Sequence, residues 1–476
     1  MVSIGRNCVG SRSTLPDYTP HTSEEIASML EFLELGSLDD LFSTIPQAIR
    51  VAGGLKLSPG IPEPDVRDRL AMLARSNRVY AEELICFAGG GAYDHEIPPV
   101  VKALAGRSEF VTSYTPYQPE VAQGVLQALF EFQTMVSRLF GLPVANASLY
   151  DGASALVESV NMSTAGSSRQ TVWISSGVHP HWRRVLSTLT KGRGLRVRTV
   201  ALQDGTTIWP HVNGLSEDCM PDALVVSYPN YLGCIEELDR VRKLCDQLGA
   251  TMIVAVDPVS AGLLRRAGDW GADIAIGEGQ VFGNPMGFGG PYLGMLACSL
   301  KYVRRLPGRL VGETTDSDGT RAYVTTLRAR EQDIRRESAT SNVCTNQTLM
   351  AVTAAIQLSW LGRQGLRELA LRCARGTRYL RDQLLGIDGV EATTKDTPVL
   401  REFSLRTRVP ALTVIDRMAE SGFLAGLALG DLVGGTNDES MTAEDVEKAI
   451  LISVTERRRR DEIDAYVGAF EKACQP

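Results

Sequence analysis

Two apolar rhythms alternate along the chain, and the switch between them sets the expected architecture. Short, strongly apolar runs at 144–149, 171–175, 195–201, 223–228, 251–256, 272–276 and 292–297 read as buried strands. Between several of them the apolar residues return every three to four positions, which predicts helices over 153–165, 181–190 and 237–248. A longer helix is expected from Pro119 to Phe140, with Val121, Val125, Leu129, Phe132, Val136 and Leu139 on one face and Gly141 to end it. Strands alternating with helices imply an α/β fold around a mainly parallel sheet, covered on both faces. Ligands in such sheets gather at the carboxyl ends of the strands.

The two ends follow a different pattern. Residues 1–15 have no periodicity and read as a loose tail. Thr22 and Glu25 form a capping-box signature ahead of Ile26, Met29, Leu30 and Leu33. A short helix is expected between Ser37 and Pro46, an extended Gly- and Pro-containing arm over 48–65, and a helix near 66–78. Late in the chain, a long helix over about 329–362 leads to a small α+β segment, with strands at 401–406 and 449–454 and helices at 409–421 and 458–472. The expected division is a tail, helices and arm (1–87), a large αβ domain (88–328), and a connecting helix with a smaller C-terminal α+β domain (329–476).

Composition narrows the classes. A chain of 476 residues, 44% hydrophobic and 22% charged, can bury a large core without disulfides or structural metal. Acidic residues outnumber basic ones, 56 to 49, which argues against nucleic acid or an anionic membrane as a partner held by bulk charge. No apolar run reaches the roughly 18–20 residues of a membrane span, and the first residues lack the apolar stretch of a secretory leader, so a cytoplasmic protein is expected. Nine scattered cysteines without a CxxC pair suggest neither a disulfide framework nor a zinc site, and no metal is expected. Lysine is scarce: eight residues against 41 arginines.

Several short segments carry candidate chemistry. Gly152, Ala153 and Ser154, after Asp151, join a strand to a helix, and their backbone N–H groups can hold a phosphate or simply start a capped helix. Asp257 closes the strand TMIVAV, where a carboxylate can pair with a protonated ring nitrogen or cap a turn. His179, two residues before His181, can stack on a cofactor ring; that spacing without an acidic or cysteine neighbour is a poor metal site. His95 can do acid–base work or make a structural hydrogen bond. The segment GEGQVFGNPMGFGG (277–290) holds six glycines in fourteen residues, which suits either an active-site turn or a wide turn under a subunit contact. The run Arg457–Arg460 ahead of Asp461 and Glu462 reads as a solvated, salt-paired face.

In order, the segments YTPHTSEEI, AGGGAYDHEIPPVV, TSYTPYQPEVAQG, YDGASAL, SSGVHP, VDPVSAGLL, GADIAIGEGQ, NPMGFGGPYLG, LPGRLVGET, TLRAREQDIRRE and TSNVCTNQ resemble the P-protein family of the glycine cleavage system, over roughly residues 18–470. The likeness is to the N-terminal half, which some members carry as a separate chain. It implies fold type I of the pyridoxal phosphate enzymes. The family decarboxylates glycine and passes the aminomethyl group to the lipoyl arm of H-protein.

The resemblance also implies a loss. In the lysine-bearing partner the cofactor lysine lies in a His-Lys-Thr-Phe segment; aligned on Phe282, Pro285 and the glycines, that lysine falls on Gln280 here. An amide cannot form the covalent bond to the cofactor. The expectation is therefore a chain with no catalytic residue of its own and no covalently bound cofactor, the pyridoxal phosphate residing in the partner subunit, with two copies of each chain. Gly152, Ala153, Ser154, His179 and Asp257 would be vestigial. Tyr93, Asp94, His95, Tyr114, Thr115, Tyr117 and Glu120 are the candidates for completing the partner's pocket or packing the seam between subunits. The competing expectation is a stand-alone pseudoenzyme that binds a ligand or regulates another protein.

Overall fold

The computed structural model describes residues 20–51, 55–80, 82–212, 219–394, 397–430, 438–439 and 441–475. The expected tail at 1–15 lies outside them. The chain divides into two units, one up to Asn77 and one from Arg78 onward; residues 78–87, grouped by sequence with the arm, thus belong to the second.

In the first unit, Ser23–Phe32 is helical and Thr22 caps it: Glu25 N donates to Thr22 Oγ1 (3.2 Å) while Thr22 N donates to the Glu25 carboxylate (2.7 Å). A second helix, Glu63–Ala74, begins behind Pro62, three residues ahead of the position its apolar pattern suggests. Neither helix has a buried residue, and Phe32, Ile49, Val51, Leu55, Leu57 and Met72 are all exposed.

The second unit is built on a seven-stranded sheet. Its strands are β1 (Val144–Ala145), β2 (Thr171–Ser175), β3 (Arg196–Val200), β4 (Ala223–Tyr228), β5 (Thr251–Val256), β6 (Ile274–Glu278) and β7 (Gly294–Cys298). They lie in the order β1-β7-β6-β5-β4-β2-β3, and only β7 runs antiparallel to its neighbours. Strand and helix positions match the expected alternation within two or three residues, except that pairing in β1 is much shorter than 144–149. Successive residues enter opposite cores. Leu224, Val226, Met252 and Val254 pack with Leu126, Leu129, Phe132 and Val136 of α1 (Gln123–Phe140), whereas Val225, Ile253 and Ala255 pack with Leu156 and Val160 of α2 (Gly152–Thr164). Burial on both faces is why the inner strands are almost wholly apolar, whereas edge strand β3 exposes Arg196, Arg198 and Thr199. Helices α3 (Pro180–Thr190) and α4 (Leu238–Leu248) follow β2 and β4.

Helix α1 starts at Gln123 and not at Pro119. The Gln118 carbonyl takes the N–H groups of Val121 and Ala122 in a turn, and Val121, expected on the apolar face, is 80% exposed. Gln123 fixes the start by bonding backward to the Pro119 carbonyl (2.7 Å) and across to both backbone groups of Tyr323 (2.8 and 2.9 Å). Tyr323 belongs to a hairpin, Val311–Thr315 with Arg321–Thr325, that the apolar pattern does not announce.

The long helix also begins later than expected. Residues 328–347 form short turns over the sheet edge, where Asn346 and Gln347 bond to Ala147 and Ser148; α5 then runs Thr348–Leu384, interrupted at Gly362 by a left-handed φ of 58°. A second sheet follows, of β8 (Glu391–Ala392), β9 (Glu402–Arg406), β10 (Leu427–Ala428) and β11 (Ala449–Ser453), antiparallel in the order β8-β9-β11-β10. Helix α6 (Arg460–Ala473) packs Tyr466 and Phe470 against it, beside Phe87.

Candidate functional site

The carboxyl ends of β2, β4, β5 and β6 face a cleft closed on one side by the start of β9. Its first corner is the N-terminus of α2. Asp151 Oδ1 accepts the Ser154 N–H (2.7 Å), which opens the helix. The Gly152 N–H donates to Glu278 Oε2 (2.9 Å), and Gln280 N (3.0 Å) and Leu293 N (2.8 Å) both donate to Glu278 Oε1. Glu278 ends β6 and is buried; burial pushes its carboxyl up to about 8, against those three donors. Trp182 lies directly over Gly152, where a Cβ would come within 2.1 Å of the indole, so only glycine fits. His179 stacks on the same indole (centroids 5.7 Å, 13°) and donates through Nε2 to the Gly90 carbonyl (2.7 Å) while Nδ1 accepts His181 N (3.1 Å). Burial holds its pKa down at about 4, so the ring is neutral.

The second corner is Asp257, one residue past β5. Its Oδ1 accepts Val259 N (3.0 Å) and the Arg401 Nη2–H (2.8 Å), with Arg401 Nε 2.8 Å from Oδ2. Arg401 immediately precedes β9 and is 3% exposed. Its guanidinium lies 3.4 Å from the Tyr93 ring centroid, and Nη1 donates to His95 Nε2 (2.6 Å). That bond makes Nδ1 the protonated nitrogen, and it donates to Glu456 (2.6 Å). Burial alone would raise Glu456, but His95 and its other donors hold it at about 2. His95, Cys373 and Glu456 bring three ligand-type atoms within 4.8 Å of one another, but the arginine on His95 makes that cluster hostile to a cation.

Gln280, two residues past Glu278, is 2% exposed. Its amide accepts the Tyr93 N–H (2.9 Å) and donates to the carbonyls of Tyr93 (3.1 Å) and Asn284 (2.9 Å). The next residue on β9, Glu402, accepts from Tyr93 Oη and Gly90 N, both at 2.6 Å. Tyr93, Asp94 and His95 are therefore committed to contacts within the chain. Asp94 accepts from Arg457 and Arg458 (2.8 Å to the latter), and its carbonyl takes the Thr455 hydroxyl (2.8 Å). The expectation of a solvated, salt-paired face at 457–460 therefore holds for Arg459 and Arg460, which pair with helix-surface acids, and fails for Arg458, which is nearly buried on Asp94. Tyr114, Thr115 and Glu120 are exposed, Tyr114 at 95%, and Tyr117 is half-buried under Arg309 with its hydroxyl on Asn346. Arg401, Glu402, Glu278, Trp182 and Glu456 were not singled out from sequence; the one local signal was a carboxylate two residues before Gln280, at a strand end.

The strand order, with its single antiparallel member, and a site at the strand ends under a second, smaller sheet define the fold type I class of pyridoxal phosphate enzymes. Within that class, the chain belongs to the glycine cleavage system P-protein family, whose sequence profile matches residues 16–470. It is 42% identical over 456 residues to the probable glycine dehydrogenase (decarboxylating) subunit 1 of Desulforamulus reducens, covering 95% of this chain and 99% of the relative. The protein of the same description from Moorella thermoacetica is 44% identical over 453 residues, covering 95% and 98%. A crystal structure of glycine decarboxylase (P-protein) of the glycine cleavage system, in inhibitor-bound form, superposes with a TM-score of 0.84 at 42% identity, covering 96% of this chain and all of that one. A NifS-like protein from Rickettsia africae shares the fold alone, with a TM-score of 0.58 at 13% identity and coverage of 82% and 99%.

Pyridoxal phosphate does not fit this chain's residues as they stand. The N–H groups at the α2 start are taken by Glu278, and Asp257 is neutralised by Arg401. Gln280 is an amide and offers no amine for a covalent bond to the cofactor. The cavity left among Tyr93, His179, Trp182, Tyr231 and Asp257 measures about 70 Å³, whereas a cavity of about 150 Å³ is filled by benzene alone.

Proposed function

We propose that this chain is the subunit without cofactor in a two-chain glycine decarboxylase. The complex releases carbon dioxide from glycine and passes the aminomethyl group to the lipoyl arm of H-protein. One observation carries the division of labour: both polar anchors that the fold offers a cofactor, the α2 start and Asp257, are occupied by side chains of the chain itself. Pyridoxal phosphate then belongs to the lysine-bearing partner, with two copies of each subunit in the assembly. Gly152, Ala153, Ser154, His179 and Asp257 are on this reading structural remnants, and Gln280 marks the lost lysine.

Uncovered apolar surface supports an obligate subunit over a stand-alone protein. The helices at Ser23–Phe32 and Glu63–Ala74 bury nothing, and Phe288 stands fully exposed in the glycine-rich turn with a left-handed φ of 46°. Among the candidates for reaching the partner, Tyr114, Thr115 and Glu120 have free surface, while Tyr93, Asp94 and His95 act from behind by shaping the loop. The proposed setting is the cytoplasm, in keeping with an odd number of scattered cysteines; among the described residues no helix is long and apolar enough to cross a membrane.

The test is glycine decarboxylation with H-protein and pyridoxal phosphate, run on this chain, on its lysine-bearing partner, and on the mixture. Activity in the mixture alone, with the cofactor's bound absorption tracking the partner, is the expected result. Turnover and bound cofactor in this chain alone would overturn the division.

A further inference from the structure

Glu278 is held in the cleft by backbone donors. Three backbone N–H groups from three separate places in the chain converge on it: Gly152 in the first turn of α2, Gln280 in the turn after β6, and Leu293 just before β7. Converging N–H groups at a helix start, with glycine to admit close approach, are a cradle for an oxyanion. Here the point of convergence lies inside the chain's own carboxyl group, and Trp182, packed against Gly152, lines the same cleft. We propose that Glu278 is an internal ligand occupying an oxyanion cup fit for a phosphate group, and that this carboxyl, not the missing lysine, shuts the pocket.

The inference rests on the reading that this chain holds no cofactor and adds to it the residue responsible. It separates two changes that the sequence alone merges. Gln280→Lys supplies an amine but leaves the cup filled, so the variant still binds no pyridoxal phosphate. Glu278→Ala does the reverse: it frees three N–H donors, and the space of a carboxymethyl group joins the 70 Å³ cavity beside them. The ring site stays closed in that variant, because Arg401 still pairs with Asp257 and stacks on Tyr93. The opened cup therefore takes free phosphate, while pyridoxal phosphate remains excluded.

Inorganic phosphate and pyridoxal phosphate are each titrated calorimetrically into the full-length chain and its Glu278→Ala variant, at matched ionic strength in chloride. Trp182 fluorescence locates the site, with Trp182→Phe as control. The wild-type chain is expected to bind neither, and the variant to bind phosphate at least tenfold more tightly than the wild type. A folded variant with wild-type affinity for phosphate, or a wild-type chain that already binds phosphate beside Trp182, overturns the inference. Should the variant not fold, deuterium exchange on the wild type decides. The amides of Gly152, Gln280 and Leu293 are expected to exchange slowly and to ignore added phosphate; fast exchange, or extra protection by phosphate, refutes an internal ligand. Binding of pyridoxal phosphate by the wild-type chain would instead strike at the division of labour, so the two failures look different.

Discussion

At the start of α2 and at Asp257 the same problem, an exposed polar anchor in a deep cleft, is solved from opposite directions. Glu278 reaches the α2 N–H groups from the end of β6, inside the same sheet, so that anchor is satisfied locally. Asp257 is satisfied from outside: Arg401 arrives from the start of β9, in the second sheet, 144 residues away in sequence. The first filling leaves the relation between the two sheets untouched. The second ties them together, because Arg401 also holds Tyr93 and His95 while Glu402 beside it takes Gly90 and Tyr93. One anchor thus has a local cap, and the other is part of a strut between the sheets.

The sharpest test of that contrast is Arg401→Met. It removes the strut's cation and leaves Asp257 and the neighbouring Glu402 buried without it; breaking a buried pair in this way costs about 3–5 kcal/mol. The loss should appear as a large drop in denaturant midpoint, much reduced in the double variant Arg401→Met, Asp257→Asn, where no charge is stranded. Equal losses in single and double variants would mean that the arginine acts by packing alone.

Glu278 should reveal itself through pH. Its folded pKa, about 8, lies above the ordinary value of 4.5. The folded protein therefore holds that proton more tightly than the unfolded chain, and stability falls as pH rises from 4.5 toward 8. His179 works the other way, losing stability as pH falls from 6.5 toward 4. Above pH 6.5 His179 no longer contributes, but burial also raises Glu158, Glu236 and Glu402. The variant therefore does the separating: Glu278→Gln should lessen the decline that the wild type shows between pH 6.5 and 8.5, measured by urea denaturation at each pH. A wild-type curve without that decline would place the carboxyl in a wetter setting than the cup.

The clamp on residues 93–96 is intermediate between the two fillings. Asp94 joins the large sheet's loop to Arg457 and Arg458, which precede α6, but its partners keep some solvent: Arg457 is 30% exposed. Asp94→Asn keeps the shape and removes the charge from two charge-assisted bonds, an expected loss of about 1.5–3 kcal/mol. In deuterium exchange the loosening should be confined to 93–96 and 455–459. A loss of protection spreading through β8–β11 would show the clamp, and not Arg401, to be the main tie.

How much of this could be read in the chain follows the same local–distant line. The strand–helix alternation is visible because each element carries its own period, and Asp151, Asp257 and His179 are visible because a strand end and a helix start lie beside them in sequence. The partners that decide their roles are not. Arg401 opens an expected strand and Glu456 follows one, but neither has a neighbour that names its partner, and Arg457–Arg460 imitates a surface run because the pairing of Arg457 with Asp94, 363 residues away, leaves no mark in its neighbours. Pro119 misleads for a related reason: it is a good first helical residue, but the start of α1 is set by the bonds Gln123 makes to Tyr323 in a hairpin 200 residues on. Gln280 is legible only by resemblance. Nothing in its own surroundings distinguishes an amide that replaced a lysine from one that was always there.

Tyr114 should give the smallest effect on this chain and the clearest on its assembly. The side chain is 95% exposed and makes no hydrogen bond among the described residues, so Tyr114→Ala should change stability by less than about 0.5 kcal/mol. If the loop reaches the partner's pocket, the variant lowers glycine decarboxylation in the reconstituted mixture without altering the fold or the cofactor bound to the partner. A rise in KM at constant kcat places Tyr114 on substrate entry, whereas a fall in activity that excess variant restores places it at the seam between subunits. Unchanged activity at all ratios would remove the exposed loop from the shared site. Whatever this chain contributes would then fall to the buried residues Tyr93, Asp94 and His95, which Arg401, Arg457 and Arg458 fix from behind.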